Sequence, residues 1–390
     1  MAEIKQIVKK LVGRHWIWSL IFFIIAVSLL SFLLTFSELV AKEIERLESV
    51  SSSPKRIGPV YAKGIYITSW TASENTRIDK LIDFVLRTEL NTVVIDIKDS
   101  SGKIAYDSKI PYIDSWGTKE IRIENLDNLL KKFHSRGIYT IARIVVFRDP
   151  MLANKRPDLA LKHKRDGSVW KDWSGLGWLD PASKEVWDYN IALAKEALDK
   201  GFEEVNFDYV RFPSDGDLKY ITYPIWDGRI PKNEVIRGFF AYQFQELEAF
   251  GPRSIDLFGL TLWHSDTGYD MNIGQTLADA LPYFNYISPM LYPSHFPGTF
   301  SDFDNPAEYP YEVISRSFEK VQPILSLLKS QRAEFPKIRP WIQAFDIGAE
   351  YKNPKMINLQ KQAVVDGGGY GWLLWNSRND YLAIEQALKR

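Results

Sequence analysis

Short apolar runs and longer amphipathic segments alternate along the chain from Val60 onward. The runs are rich in β-branched and aromatic residues, as strands are, whereas apolar residues in the intervening segments recur every three or four positions, as on one face of a helix. There are eight runs: Gly64–Trp70, Asn91–Asp99, Gly137–Phe147, Glu203–Val210, Ile255–Trp263, Phe284–Tyr292, Ile338–Asp346 and Tyr370–Asn376. Eight strand–helix repeats with almost continuously apolar strands predict a parallel sheet closed into a (β/α)8 TIM barrel.

Two of the predicted helices end at a glycine, Gly137 and Gly201, which is the residue favoured at the C-terminal cap of a helix. A doubly wound open sheet is the alternative architecture, but no G-x-G-x-x-G nucleotide motif follows the first run. The segment 147–181 is a long loop after the third strand. Its Trp170, Trp173 and Trp178 belong either to a lid over a binding groove or to a small subdomain with its own aromatic core.

The N-terminal part of the chain has a different character. Trp16 to Phe36 contains no charged residue in 21 positions, which corresponds to about 31 Å of helix and is enough to cross a bilayer. We therefore expect a cytoplasmic tail at 1–15, a transmembrane helix at 16–36, a juxtamembrane helix and linker at 37–59, and the barrel domain at 60–390. The alternative, a cleavable signal peptide, has a shorter apolar region.

Basic residues set the expected orientation of this anchor. Lys5, Lys9, Lys10 and Arg14 precede the apolar segment, so the N-terminus is expected in the cytoplasm and the barrel outside it. The predicted localisation is single-pass in the cell membrane.

Composition narrows the function classes. The chain is 45% hydrophobic and 25% charged with a formal net charge of +0, which is globular and argues against nucleic-acid binding. The absence of cysteine excludes disulfides and cysteine-ligated zinc. The 13 Trp, 19 Tyr and 22 Phe residues either fill a large core or, in part, line a sugar-binding groove.

Functional residues of TIM barrels lie at the C-terminal ends of the strands. Polar and aromatic residues gather at those ends here, and we expect them to form one site. They are Trp70, Asp96, Lys98, Asp99, Arg143, Asp208, Arg211, Asp270, Tyr292, His295, Gln343, Asp346, Trp375 and Asn376. Glu203 and Glu204 begin the fourth strand instead, and we expect them at the solvated bottom rim.

Carboxylates surrounded by aromatic and hydroxyl-binding side chains suit glycoside hydrolysis, in which one acid protonates the leaving oxygen and a second carboxylate acts as nucleophile or base. Asp208 is the leading candidate because it shares a strand face with Asn206, opposite Val205, Phe207 and Tyr209. Arg211 is expected to hold it ionised by charge pairing. The alternative is a structural ion pair between Asp208 and Arg211.

Other carboxylates have competing interpretations. Asp96 either takes part in the site or accepts backbone hydrogen bonds at a strand end, and Asp270 either supplies the acid or caps a helix. His264, Asp266 and Asp270 suggest a metal-assisted deacetylase or lyase only weakly, since no second histidine is near. No metal is therefore predicted. No G-x-S-x-G motif of a serine hydrolase is present.

Several segments, above all "VNFDYVRFPSDG" and "YISPMLYPSHFPGTF", resemble the "putative glycosyl hydrolase domain" family from Ala62 to Leu388. The resemblance implies a glycosidase-like (β/α)8 barrel, usually exported or membrane-anchored in bacteria. It maps an acid at the end of strand four onto Asp208 and an acidic turn after strand five onto Asp270. Many barrel glycosidases carry a glutamate after strand five or six, which this chain lacks. Three further aspartates, Asp96, Asp99 and Asp346, are therefore alternatives for the second carboxylate.

Together these features predict a membrane-anchored glycoside hydrolase that acts on an extracytoplasmic polysaccharide without a cofactor. Asp208 is the expected nucleophile or base and Asp270 the expected acid. The other residues of the predicted site bind substrate: Arg211, Lys98, Tyr292, Gln343 and Asn376 orient hydroxyls, and Trp70 and Trp375 stack on sugars. The alternative is a catalytically inactive barrel that serves as a glycan-binding or envelope scaffold. The expected partners are a glycan and the membrane, and no nucleic acid.

Overall fold

The computed structural model describes residues 31, 61–298, 300–331 and 335–390. The predicted tail, transmembrane helix and linker lie outside these residues, apart from Ser31. Among the residues described, no helix is both long enough and apolar enough to cross a membrane.

Eight strands form the barrel: β1 (Ala62–Ile67), β2 (Thr92–Lys98), β3 (Tyr139–Val145), β4 (Glu204–Asp208), β5 (Arg253–Phe258), β6 (Tyr286–Leu291), β7 (Trp341–Gln343) and β8 (Gly371–Trp375). Each strand pairs in parallel with the next along the chain. The sheet closes because β1 also pairs with β8, with Ala62 opposite Gly371. The predicted TIM barrel is confirmed.

Helices cover the outside of the barrel. They span Ser69–Ser73, Asn75–Leu86, Pro111–Trp116, Leu126–His134, Pro150–Lys155, Lys184–Asp199, Lys232–Leu247, Leu260–Trp263, Leu277–Ala280, Pro310–Gln331 and Pro354–Asp366. The helix Leu126–His134 shows why they form: Leu126, Leu129, Leu130 and Phe133 are buried at three- and four-residue spacing, and the Asn125 side chain caps its first turn.

Short elements complete the fold outside the barrel wall. Additional strands are Ile104–Tyr106, Lys119–Ile123, Lys162–His163, Ile221–Thr222 and Lys337–Ile338, and 3-10 turns are Leu218–Tyr220, Pro293–His295, Phe300–Asp302, Pro306–Glu308 and Leu382–Leu388.

The strands alternate between an outer and an inner face. On β2, Val93 and Ile95 pack in the large core between sheet and helices, whereas Val94 packs inside the barrel with Tyr139, Ile141 and Trp341. The same inner face continues along β2 to Asp96 and along β3 to Arg143. The inside of the barrel is therefore apolar in its middle and polar toward the C-terminal ends of the strands.

Glu204 is not at the solvated bottom rim, where it was predicted to lie. It is fully buried at the start of β4, where its carboxylate pairs with both terminal nitrogens of Arg339 and accepts from the Tyr139 hydroxyl at 3.3 Å. Only Glu203 stays partly exposed at the bottom, where its side chain accepts from the Thr140 amide at 2.8 Å. The burial of Glu204 depends on its ion pair with Arg339, which is distant in sequence and could not be inferred from the residues around Glu204.

β5 is shorter than predicted because the chain turns at Gly259. A Cβ there would lie 2.5 Å from the Met290 carbonyl oxygen, so only glycine can approach β6 this closely. Gly259 has helical φ and ψ, and Leu260–Trp263 forms a helix in place of the predicted strand end.

The three tryptophans of the long loop after β3 differ in their exposure. Trp170 and Trp178 are buried, as in a subdomain core, whereas Trp173 is 80% exposed at the tip of a tight turn. The Asp172 side chain fixes that turn by accepting from the amides of Ser174 and Leu176, and it also accepts from Arg148 Nε at 2.8 Å.

Candidate active site

A pocket of about 390 Å³ opens at the C-terminal ends of β3, β4, β5, β6 and β8. This is the end of a TIM barrel where active sites are found. Its lining residues are Arg143, Asp208, Tyr209, Arg211, Ser214, Asp215, Asp256, Phe258, Gly259, Leu260, Met290, Tyr292, His295, Phe296 and Trp375.

Arg143 lies at the centre of a buried carboxylate cluster. Its Nη1 donates to Asp96 Oδ1 at 2.5 Å, its Nη2 donates to Asp208 Oδ2, and its Nε lies 3.8 Å from Asp256 Oδ2. Burial alone lowers the pKa of a guanidinium, but Asp96 and Asp208 reverse this and raise the pKa of Arg143 well above its ordinary value. Arg143 is therefore a permanent cation between three carboxyl groups.

Asp208 ends β4 and points into the pocket, as predicted. Its Oδ1 accepts from the Tyr209 amide at 2.6 Å, while Oδ2 is held by Arg143. Both oxygens of Asp208 therefore accept from N–H donors.

Tyr209 does not continue the outward face of β4 as the alternation predicts. Its φ is +54°, a left-handed conformation that is uncommon for a bulky residue, and it turns the chain so that Tyr209 also lines the pocket. Its hydroxyl accepts from Arg148 Nη1 at 2.9 Å. The backbone strain is thus located directly beside Asp208.

Asp256 is the second carboxyl group of the pocket. Register pairs Phe207 with Ile255, so the next residues, Asp208 and Asp256, occupy neighbouring positions on strands roughly 5 Å apart. Oδ1 of Asp256 accepts from Asn206 Nδ2 at 2.8 Å and from Trp341 Nε1 at 2.7 Å. Burial, and then the charge of Asp208, raise the pKa of Asp256 well above its usual range. The two adjacent carboxyl groups therefore differ in their surroundings, because Asp208 is paired with Arg143 and the protonated form is favoured at Asp256.

Asp96 lies beneath the pocket. It is 2% exposed, and its Oδ2 accepts from the Tyr66 hydroxyl at 2.5 Å while Oδ1 accepts from Arg143. Burial raises the pKa of Asp96, with Arg143 opposing the shift. Asp96 thus positions Arg143, and neither of the two interpretations given from the sequence describes this role.

Six of the predicted site residues line the pocket together: Arg143, Asp208, Arg211, Tyr292, His295 and Trp375. Burial, followed by the charges of Asp256 and Asp208, raises the pKa of Tyr292 and keeps its hydroxyl protonated. Trp375 stacks on Tyr66 with ring centroids 4.0 Å apart, and partial burial lowers the pKa of His295.

Arg211 lines the pocket but is not the ion-pair partner of Asp208. No carboxylate lies within ion-pair distance of its guanidinium among the described residues, and its Nη1 donates to the Phe212 carbonyl oxygen at 3.0 Å. Arg143, which comes from a strand 65 positions earlier, holds Asp208 instead. Sequence proximity suggested the wrong arginine.

Lys98 lies outside the pocket because the register of β2 with β3 shifts between Asp96 and Lys98. Such an irregularity reverses the alternation of faces. Lys98 therefore points outward, where it is fully buried, pairs with Asp149 Oδ2 at 2.8 Å and donates to Asn190 Oδ1. Its expected role in orienting hydroxyls does not fit this placement.

Gln343 and Asn376 are also buried and hold loops in place. Gln343 donates to the Phe345 carbonyl oxygen at 2.9 Å and accepts from the Ser294 amide, and Asn376 donates to the Ala344 carbonyl oxygen at 2.7 Å. Their amide groups are occupied by backbone, so they shape the pocket walls without lining it.

Four further predicted residues do not line the pocket: Trp70, Asp99, Asp346 and Asp270. Asp99 pairs with Arg122 at 2.6 Å, and the Arg122 guanidinium stacks 4.2 Å above the exposed ring of Trp70. Asp346 accepts from the amides of Tyr351 and Lys352, which fixes a turn after β7.

Asp270 lies in the loop that follows the helix Leu260–Trp263, and it does not line the pocket. It accepts from the Asn272 amide at 2.9 Å, in a turn rather than at a helix start. The carboxyl group beside Asp208 in the pocket is that of Asp256, not that of Asp270. His264 and Asp266 are not in the pocket either, and within the described ranges no group of three or more His, Cys, Asp or Glu could hold a metal ion.

Asp256 was missed because the fifth strand was predicted to run from Ile255 to Trp263, which placed Asp256 near its bottom. The available signal was the same as for Asp208: a carboxylate between two apolar residues, Ile255 and Leu257. Asp256 is the one charged residue of the predicted run Ile255–Trp263.

Comparison with known proteins identifies the family of this chain. A family described as "putative glycosyl hydrolase domain" matches residues 64–381. The chain belongs to this family. The match confirms the resemblance seen in the sequence and covers the whole barrel. Among curated proteins, none matches the chain.

Two solved structures have the same fold, and a third is similar to part of the chain in sequence. The glycoside hydrolase domain of PgaB (BpsB) from Bordetella bronchiseptica has a TM-score of 0.61 at 11% identity, covering 85% of this chain and 99% of that one. An alpha-L-fucosidase isoenzyme 2 from Paenibacillus thiaminolyticus has a TM-score of 0.53 at 15% identity, over 84% of this chain and 48% of that one. A hypothetical protein from Ruminiclostridium thermocellum is 40% identical, with a TM-score of 0.46, over 49% of this chain and 96% of that one.

Proposed function

We propose that this family member is a glycoside hydrolase in which Asp208 and Asp256 form the catalytic pair and the substrate is an extracytoplasmic polysaccharide. The observation that carries the proposal is the pocket itself. Two carboxyl groups on neighbouring strands open into it: Asp208 is paired with Arg143, whereas burial beside Asp208 raises the pKa of Asp256. Glycosidic bond cleavage needs such a pair.

Asp256 is the general acid. Its Oδ1 is occupied as an acceptor by Asn206 and Trp341, so the proton resides on Oδ2, near Arg143 Nε. That proton passes to the glycosidic oxygen as the bond from this oxygen to the anomeric carbon breaks. The sugar leaves with a new hydroxyl and Asp256 becomes a carboxylate.

Asp208 is the nucleophile or base. The Arg143 guanidinium and the Tyr209 amide donate to its two oxygens and hold the carboxyl group in place. It either attacks the anomeric carbon, and water later releases the sugar, or it takes a proton from the water that attacks. In both cases Asp256 regains its proton when the cycle closes.

Aromatic groups around the pair fit a sugar ring. Trp375 is half-buried beside Arg143, with the guanidinium carbon 5.0 Å from its ring centroid, and Tyr292 presents a protonated hydroxyl. A flat apolar surface next to hydrogen-bond donors is the usual surface for a pyranose.

The location of the barrel is part of the same proposal. The uncharged segment from Trp16 to Phe36, with basic residues before it, supports a membrane anchor with the barrel outside the cytoplasm. Protease treatment of intact cells tests it: a barrel outside the membrane is digested, whereas one inside is protected, and extraction from membranes requires detergent.

The catalytic proposal is tested with the full chain on a panel of bacterial polysaccharides, by release of reducing ends. Asp208→Asn and Asp256→Asn are expected to lose turnover by about 10²-fold or more. Asp270→Asn is the matched control, because it makes the same chemical change outside the pocket and should keep activity. Activity that depends on Asp270 and not on Asp256 would overturn the assignment.

A further inference from the structure

Arg211 is a buried cation of the pocket that the proposed mechanism does not use. It is 6% exposed and lines the pocket. Other arginines nearby are matched to carboxylates: Arg143 to Asp96 and Asp208, and Arg148 to Asp172. In the part of the chain that the structure describes, Arg211 has no such ion pair.

Three aromatic rings hold the Arg211 guanidinium. Its central carbon lies 4.9 Å from the ring centroid of Trp178, 5.0 Å from that of Tyr209 and 4.8 Å from that of Phe258. Such contacts partly replace the lost hydration of a cation. They do not supply a counter-charge, and burial lowers the pKa of Arg211. The side chain nonetheless stays protonated, because arginine does not lose its proton in proteins.

One edge of the guanidinium is available. Nη1 donates to the Phe212 carbonyl oxygen, whereas neither Nε nor Nη2 has a hydrogen-bond partner among the described residues. The Nε–Nη2 edge presents two parallel N–H donors, a spacing that matches the two oxygens of a carboxylate. Asp215 also lines the pocket, and its carboxylate is 3.4 Å from the Ser214 hydroxyl rather than paired with Arg211.

We infer that Arg211 binds the anionic substituent of an acidic sugar, so the polysaccharide substrate carries carboxylate groups, as uronic acids do. The inference rests on the proposed function of the same pocket. It assigns the free guanidinium edge to a sugar carboxylate, while Asp208 and Asp256 act on the neighbouring glycosidic bond. Binding of the anion supplies the counter-charge that the aromatic rings lack.

The test is a binding titration of the full chain with D-glucuronate, D-galacturonate, D-glucose 6-phosphate, D-glucose and D-galactose. We expect the uronates to bind roughly ten- to a hundredfold more tightly than the neutral sugars, as two charge-assisted hydrogen bonds allow. Arg211→Met should remove this preference. Arg211→Lys keeps the positive charge but lacks the two parallel N–H donors of the guanidinium, so it should retain only part of the preference for uronates.

Arg165→Met is the matched control, because Arg165 also lies over an aromatic ring, that of Tyr220 at 4.1 Å, but outside the pocket. It should leave the preference unchanged. If Arg211→Met does not fold, as judged by its thermal transition, the comparison rests on Arg211→Lys and on the weakening of uronate binding by salt.

The outcomes separate this inference from the proposed function. Arg211-dependent binding of uronates supports it, whereas the same behaviour with glucose 6-phosphate alone overturns the carboxylate assignment and indicates phosphate as the substituent. Equal affinity for neutral and anionic sugars, or a preference that survives Arg211→Met, overturns it. Hydrolysis of neutral polysaccharides that depends on Asp208, without any anion preference, would remove this inference and leave the proposed function intact.

Discussion

Replacement of Asp256 by Asn is a nearly isosteric test of the acid assignment. The Asn oxygen can still accept from Asn206 Nδ2 and Trp341 Nε1, which donate at 2.8 and 2.7 Å. The amide group then occupies the place of the protonated Oδ2. Because Asp256 is neutral in the account given above, the substitution preserves the charge of the cluster and removes only the proton that can be transferred.

The effect on stability follows from the raised pKa of Asp256. The folded state holds this proton more tightly than the unfolded state, in which the carboxyl group titrates near pH 4. The stability that the bound proton contributes is complete below about pH 4. It is lost as pH rises toward the folded-state pKa, by about 1.4 kcal/mol for each pH unit. Asp256→Asn should therefore match the wild type at low pH and become the more stable protein as pH rises.

The effect on activity is opposite. Loss of a general acid costs about 10²- to 10⁴-fold, or about 3–5 kcal/mol of transition-state stabilisation, when the leaving group needs protonation. Aryl glycosides with acidic leaving groups need little assistance, so their hydrolysis should fall far less. In the pH profile of kcat/KM, the basic limb reports the acid and should disappear in the variant.

The assay compares alkyl and nitrophenyl glycosides with wild type, Asp256→Asn and the Asp270→Asn control, together with urea unfolding from pH 4 to pH 8. An equal loss for both classes of leaving group would refute the role of Asp256 as acid. A variant whose stability relative to the wild type decreases with pH would refute its neutral state.

Three further predictions concern the charges and the long loop. Arg143→Met leaves carboxylates without their cation and should cost about 3–5 kcal/mol of unfolding free energy at pH 7 by urea denaturation, with a smaller loss at pH 4. Arg339→Met should lower the free energy of unfolding by a similar amount, because it leaves the buried Glu204 without its cation. The double variant with Glu204→Gln should recover part of that free energy. No recovery would argue against a buried charge at Glu204. Trp173→Ala should raise KM for polymers but leave the thermal transition and the hydrolysis of aryl monosaccharides unchanged, because its ring is exposed at a fixed turn; a marked fall in the transition temperature would contradict this.

The barrel was predictable because each strand–helix repeat carries its own apolar periodicity. Asp208 and Arg143 were predictable as site residues because the C-terminal ends of the strands converge. Lys98, Gln343 and Asn376 also lie at strand ends in the sequence. A register shift turns Lys98 away from the pocket, and the side-chain amides of Gln343 and Asn376 donate to backbone carbonyl oxygens instead of facing it. Position along a strand does not reveal which partner satisfies a polar group.

The apolar neighbours of Asp256 mark it in the sequence, but the positions of Asp256 and Tyr209 in the pocket depend on where the backbone turns. The close approach of Gly259 to β6 ends β5 early and turns Asp256 into a rim residue. A left-handed residue after Asp208 brings Tyr209 into the pocket. The partner of Asp208 is likewise a long-range fact, since Arg143 reaches it from β3.

The most direct test of the account is the release of reducing ends from carboxylate-bearing and neutral polysaccharides by the full chain, with Asp208→Asn and Asp270→Asn in parallel. The account predicts turnover by the wild type and by Asp270→Asn, and a loss of about 10²-fold or more in Asp208→Asn, which should still fold. Full turnover by Asp208→Asn, or a loss confined to Asp270→Asn, would contradict it.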